Sequence, residues 1–104
     1  MSKEKTIDEL INILAVALRH KIGSIVNSNE IYAQKYSKDA EVLLKEARKT
    51  ASSINWNSYD KTRIKKKLKI KLEEELRKKE FLDSRKFEIM DEEIGKALKE
   101  LELV

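Results

Sequence analysis

The chain contains no proline and only two glycines, Gly23 and Gly95, among its 104 residues. A sheet protein of this length needs several tight turns, and tight turns depend on glycine, proline, Asn and Asp. The chain is instead rich in Leu, Lys, Glu and Ala, which are strong helix formers. Because 40% of its residues are hydrophobic, a buried core is expected rather than wholesale disorder. The sequence therefore predicts an all-α fold forming a single helical domain over residues 1–104.

Apolar residues recur at spacings of three and four through the first half of the chain, as the buried face of a helix requires. The first stretch begins at a capping-box pattern formed by Thr6 and Glu9. Its apolar positions are Ile7, Leu10, Ile11, Leu14, Leu18, Ile22 and Ile25. The stripe then continues at Val26, Ala33, Tyr36, Ala40, Leu43 and Ala47.

Residues 6–50 have two possible structures on this pattern. Ser28 or Asn29, in the sequence Asn27-Ser28-Asn29, can cap a new helix, which predicts two helices with a tight joint. The uninterrupted stripe predicts one bent helix about 65 Å long, at 1.5 Å per residue. Helices longer than about 25 residues are uncommon in small domains, and this favours two.

The second half of the chain predicts two further helices. A polar connection containing Ile54 and Trp56 leads to a third helix over about residues 59–79, capped by Asn57 or Ser58. Its core positions are spaced by four, at Ile64, Leu68, Leu72 and Leu76, with Ile70 to one side. After a cap at Asp83 or Ser84, the last helix has its stripe at Phe87, Met90, Ile94, Ala97, Leu98 and Leu101. The prediction is a small bundle of four helices, or of three if residues 6–50 are continuous.

Positive charge is concentrated in residues 61–71, which we call the basic segment. Residues 51–82 carry 10 Lys/Arg against 5 Asp/Glu, and residues 83–104 carry 4 against 7. The basic segment holds seven cations and no anion: Lys61, Arg63, Lys65, Lys66, Lys67, Lys69 and Lys71. These cations oppose the positive end of the helix dipole, and several repel one another at i,i+4. Three roles stay open: a solvated face, a site for phosphate or an acidic protein surface, or a partner for the acidic stretch at residues 88–93.

Two aromatic residues, Trp56 and Tyr59, precede the basic segment. Trp56 is the only tryptophan, and in a polar loop it is expected to fold back as a lid on the core. The alternative is an interface anchor, because tryptophan is enriched among binding hot spots. Tyr59 begins the basic helix and can stack on an unpaired base.

Residues that carry chemistry in enzymes and metal proteins are scarce. There is no cysteine and His20 is the only histidine, so thiolate, multi-histidine and Cys/His sites are excluded, and His20 is expected at the surface. Asp91, Glu92 and Glu93 carry oxygen ligands for a cation, but a di-iron bundle also needs a Glu-x-x-His pair. A solvated acidic face, on the side of the last helix opposite its stripe, is the expected role. We predict no catalytic residue, no metal site, no cofactor and no enzymatic activity.

No run approaches the roughly 20 apolar residues of a membrane-spanning helix, and the first ten residues lack the apolar core of a secretory signal. We therefore expect a cytoplasmic protein without a membrane partner. Abundant Lys, Glu and Ile fit a thermophilic source, and AT-rich coding gives the same composition.

The turn Ile54-Asn55-Trp56, followed by a basic helix with leucines at helical spacing and the ending Leu76-Arg77-Lys78, resembles the C-terminal helical region of the restriction (HsdR) subunit of type I restriction–modification enzymes. The resemblance covers about 25 residues; Asn55 replaces the family's usual acid, and no motor or nuclease part is present. It implies a non-catalytic assembly module that docks the translocating subunit on the methyltransferase core and DNA.

The leading functional prediction is a helical interaction or assembly module that is part of, or associated with, a nucleic-acid-processing complex. It would use Trp56, Tyr59 and the basic segment to bind a protein partner or nucleic acid. One alternative is a direct DNA- or RNA-binding protein acting through the basic segment. The other is a structural homo-oligomer whose first apolar stripe packs against a copy of itself.

Overall fold

The computed structural model describes residues 2–26, 30–79 and 84–103. Five helices account for most of these residues: α1 (Lys3–Val26), α2 (Glu30–Ala51), α3 (Ser58–Arg77), α4 (Arg85–Glu88) and α5 (Met90–Glu100). No strand occurs in the described ranges. The predicted all-α helical bundle is therefore confirmed, with α4 as a short addition to the four longer helices.

Residues 6–50 form two helices, and the single bent helix of about 65 Å is excluded. α1 and α2 pack side by side over much of their length, so the chain reverses between them. The molecule measures 40 × 22 × 20 Å along its principal axes, which is too short for such a helix. The predicted caps at Asn27, Ser28 and Asn29 lie outside the described residues.

α1 lies at the centre of the bundle and packs against each of the other four helices. α3 runs parallel to α1, because Lys3 pairs with Asp60 near one end and Arg19 pairs with Glu75 towards the other. α3 also packs against α4 and α5, whereas α2 packs its backbone against α1 alone. α2 and α3 therefore share α1 as a packing partner and do not contact each other.

The core is formed mainly by the stripes of α1 and α3. All four predicted core residues of α3 are fully buried, and Ile70 is 62% exposed, as expected from its position beside the stripe. In α1 the predicted stripe is buried from Ile7 to Ile22, and the prediction for Ile25 is wrong, since this side chain is 51% exposed. Because the α1 stripe is filled by helices of the same chain, it is not open to a second copy.

The start of α1 differs from the prediction. The helix begins at Lys3, and Thr6 lies one turn inside it with 5% exposure. Ser2 acts as the cap instead, because its Oγ accepts the backbone N–H of Lys5 at 3.2 Å. The capping box predicted for Thr6 is therefore wrong.

The last predicted helix is divided at Ile89 into α4 and α5. Four of the predicted stripe residues are buried, Met90, Ile94, Ala97 and Leu98, while Phe87 is 40% exposed. Asp83 lies outside the described residues, and Ser84 precedes α4 without a side-chain cap bond.

Glu93 does not lie on a solvated face as predicted; it is 2% exposed. Its carboxylate lies 2.9 Å from Lys21 Nζ of α1 and 3.4 Å from Lys96 Nζ. A buried carboxylate needs such partners because its desolvation is costly. A hydrogen bond to Glu92 is the main cause of the raised pKa of Lys96, and a hydrogen bond to Glu93 raises it further.

The C-terminal end of α5 closes in a Schellman motif. Leu103 N–H donates to the Leu98 carbonyl at 2.7 Å, and Glu102 N–H donates to the Lys99 carbonyl at 3.1 Å. Leu103 is 1% exposed and packs into the core. Glu102 occupies the left-handed position with φ of 59°, where glycine is usually found.

Candidate partner interface on the third helix

The N-terminal end of α3 is fixed by a capping box that the sequence predicted in part. Asn57 Oδ1 accepts the N–H of Asp60 at 2.8 Å, and Asp60 Oδ2 accepts the N–H of Asn57 at 3.2 Å. The predicted cap at Asn57 is confirmed. Lys3 Nζ donates to Asp60 at 2.8 Å and is the main cause of the lowered pKa of this carboxylate. Asp60 also places negative charge at the positive end of the dipole, immediately before the basic segment.

One flank of the basic segment faces acidic residues of α1. Arg63 forms a two-pronged ion pair with Glu4, in which Nη2 donates to Oε2 at 2.6 Å. This hydrogen bond lowers the pKa of Glu4 and raises the pKa of Arg63. Lys67 Nζ lies 3.7 Å from Glu4 and 3.7 Å from Asp8. The local sequence pattern does not predict these partners, because Glu4 lies 59 residues before Arg63.

The other flank faces α5. Lys69 Nζ lies 3.4 Å from Asp91 Oδ1, so the acidic last helix supplies an intramolecular partner for one cation of the basic segment. Glu73, which follows the basic segment, pairs with Arg77 at 2.6 Å and neutralises none of its cations. The acidic last helix therefore neutralises only part of the basic segment.

Four lysines of the basic segment form no ion pair with any described residue: Lys61, Lys65, Lys66 and Lys71. Lys65 and Lys66 are exposed, and the other two are partly buried. Tyr59, two residues before Lys61, is 70% exposed, and the guanidinium of Arg63 lies 5.5 Å from its ring centroid. We call Tyr59 and the four lysines the α3 face.

Trp56 lies partly buried against the core, as the lid interpretation predicts. Its indole Nε1 donates to the carbonyl of Ala51 at 2.8 Å, which caps the last turn of α2. Trp56 and Lys61 line a surface groove of about 560 Å³, together with Arg48 and Glu100, which form an ion pair. The structure thus brings Trp56 close to Lys61, and Lys61 also lines a second groove with Lys65 and Leu103.

His20 is partly buried between α1 and α2, so the prediction of a surface histidine is wrong. Its Nδ1 lies 2.8 Å from the Val16 carbonyl, and its ring meets Tyr36 edge-on at 5.6 Å. Its Nε2 lies 4.0 Å from Asp39 of α2. Among the described residues, no group of three or more His, Cys, Asp or Glu side chains is placed to hold a metal ion.

Comparisons with protein-family models, with curated proteins and with solved structures found no match to this chain. The resemblance of residues 54–79 to the type I restriction subunit therefore stays a prediction. No helix in the described part of the chain is long and apolar enough to cross a membrane.

Proposed function

We propose that the protein is a non-catalytic helical binding module of a nucleic-acid-processing complex, and that its α3 face contacts phosphate groups there. The observation that carries this proposal is the incomplete neutralisation of α3. Glu4, Asp8 and Asp91 pair with three cations of the basic segment, while the lysines of the α3 face have no such partner among the described residues. A phosphate backbone supplies the missing negative charge and releases counterions on binding.

The length of the α3 face suits a phosphate backbone, while its lysines lie on more than one side of the helix. Lys61 and Lys65 line a groove with Leu103, and Lys71 lies beside α1. Residues 61–71 span about 15 Å at 1.5 Å per residue, a length that covers about four phosphates of one strand at 3.4 Å each. Lys61 and Lys65 are one turn apart and repel one another by a few tenths of a kcal/mol, a cost that a bound anion removes. Contacts of this kind position a module on nucleic acid without reading its sequence.

Exposed apolar side chains support a protein contact beside the nucleic acid. Tyr59 and Ile70 are 70% and 62% exposed on the outer side of α3, next to Lys66. Tyrosine is enriched among the residues that contribute most to binding at protein interfaces. If the resemblance to the type I restriction subunit holds, the complex is a translocating subunit docked on its methyltransferase core and DNA.

A salt titration with two charge-matched variants tests the phosphate contact. Binding to short DNA and RNA duplexes is measured by fluorescence anisotropy, and the slope of log affinity against log salt is compared. Lys65→Gln/Lys66→Gln should flatten the slope for DNA by about 1.8, at about 0.9 per phosphate contact. Lys5→Gln/Lys99→Gln removes two exposed lysines of α1 and α5 that pair with no described residue, and should leave the slope unchanged. Equal slopes for the two variants would refute the role of the α3 face.

A further inference from the structure

α2 carries a second line of cations, outside the basic segment. Lys35, Lys38, Lys45 and Lys49 follow one another at spacings of three, seven and four, which places them on one side of the helix. All four are exposed, and none pairs with an acid in the described part of the chain. We call these lysines the α2 line. They span about 21 Å at 1.5 Å per residue.

The α2 line lies on the side of α2 that faces away from the bundle. The opposite side of this helix packs against α1 through Ala40 and Ala47, which are 2% and 0% exposed. The only ion pair of α2 with α5 in the described residues joins Arg48 and Glu100, at 3.2 Å. Val42, in the middle of the line, is 62% exposed and has no helix over it.

The α2 line and the α3 face lie on helices that pack against different parts of the bundle. α2 and α3 do not pack against each other, and α2 packs against α1 alone. Across the bundle the molecule is only 22 × 20 Å, so two anionic chains bound to these surfaces would lie about one domain width apart. One duplex cannot follow both helices, since the bundle itself lies between them.

We propose that the protein bridges two segments of nucleic acid, one bound by the α3 face and the other by the α2 line. This inference rests on the proposed function, since it assigns the same phosphate chemistry to a second surface. Asp39, Glu41 and Glu46 lie within residues 35–49, but helical spacing places them beside the sector that holds the four lysines and not inside it. A length of about 21 Å matches about six phosphates of one strand. The α3 face is the tighter of the two, because its four lysines lie within 11 residues and Tyr59 adds an exposed ring that can stack on a base.

A bridging assay tests the α2 line independently of the α3 face. An immobilised DNA duplex is incubated with the protein and with a fluorescent duplex of the same sequence, and the fluorescence retained on the support is measured. Three charge-matched variants are compared with the natural sequence: Lys38→Gln/Lys45→Gln on α2, Lys65→Gln/Lys66→Gln on α3, and Lys5→Gln/Lys99→Gln as control. Glutamine keeps the helix propensity of lysine, and circular dichroism confirms that each variant folds.

We expect the natural sequence and the control to retain the fluorescent duplex. Losing two phosphate contacts weakens the α2 line about 60-fold at 0.1 M salt, so Lys38→Gln/Lys45→Gln should lose retention. Its affinity for a single duplex should change by no more than about twofold, the factor for losing the weaker of two independent sites. This combination of lost bridging and kept binding is the result that supports the inference.

Other outcomes overturn the inference, and they do so separately from the proposed function. If the natural sequence binds one duplex without bridging, or if Lys38→Gln/Lys45→Gln still bridges, the α2 line is not a second site although the α3 face stands. If only Lys38→Gln/Lys45→Gln loses single-duplex binding, the α2 line is the main site and the proposed function fails. If polyglutamate binds and the duplex does not, the surfaces recognise acidic proteins and both proposals fail.

Discussion

Two substitutions at the C-terminal helix, Glu102→Gly and Gly95→Ala, should each stabilise the protein. Glu102 is held at φ of 59°, a conformation that costs an L-residue about 1–2 kcal/mol. Glycine avoids that cost but loses about 0.5–1 kcal/mol of backbone entropy, so Glu102→Gly should raise the free energy of unfolding by about 0.5–1 kcal/mol. Gly95 lies inside α5, and a Cβ added there meets nothing within 4 Å. Gly95→Ala should therefore add about 1 kcal/mol.

The two gains should add, because the residues lie about 10 Å apart along the helix and share no contact. The double variant is expected to gain about 1.5–2 kcal/mol, which raises the melting temperature of a domain this size by roughly 6–15 °C. Urea denaturation followed by circular dichroism measures each free energy. Glu102→Ala serves as the control and should gain nothing, since alanine also carries a Cβ. A Glu102→Gly variant no more stable than Glu102→Ala would show that the left-handed position carries no strain.

Three further predictions follow from the packing and the caps. Leu68→Ala should lower the free energy of unfolding by about 2–5 kcal/mol in urea denaturation, because Leu68 is fully buried in the core. Asn57→Ala should cost about 0.5–2 kcal/mol by the same method, through loss of the α3 cap, and Asn57→Asp should restore most of it. Because the pKa of Asp60 is lowered in the folded protein, its ionised carboxylate stabilises the fold at pH values above the ordinary pKa of 3.8. This contribution is lost as the pH falls through the lowered pKa. The urea midpoint should therefore fall on acidification from pH 6 to about pH 3, and fall less for Lys3→Gln; an equal decrease in both proteins would contradict the assignment.

The helices and the core of α3 could be predicted because their signals are local. Each of the four apolar positions in α3 lies one turn from the next, and the cap at Asn57 depends on residues three apart. The start of α1 was misplaced because Ser2 and Thr6 are both suitable caps one turn apart. Ile25 was misassigned because periodicity gives the face of a residue and not the length of the helix that covers it.

The ion pairs of the candidate interface could not be predicted, because they join distant parts of the chain. Glu4 meets Arg63 only because α1 and α3 run parallel in the bundle, and no local pattern encodes that arrangement. The spacing of Glu93 indicates a buried position, although a charged residue is usually expected at the surface. Glu93 lies three residues after Met90 and four before Ala97, on the buried stripe of α5, where Lys21 neutralises it.

The central claim is that nucleic acid binds the outer surfaces of α3 and α2. Backbone amide chemical shifts, recorded by NMR while a short DNA duplex is added, locate the binding surface directly. We expect the largest shift changes in α3 around Lys65 and Lys66, followed at higher duplex concentration by changes in α2 between Lys35 and Lys49, with all changes reversed by added salt. Changes confined to the groove around Trp56 and Glu100, or no changes at low salt, would contradict the claim.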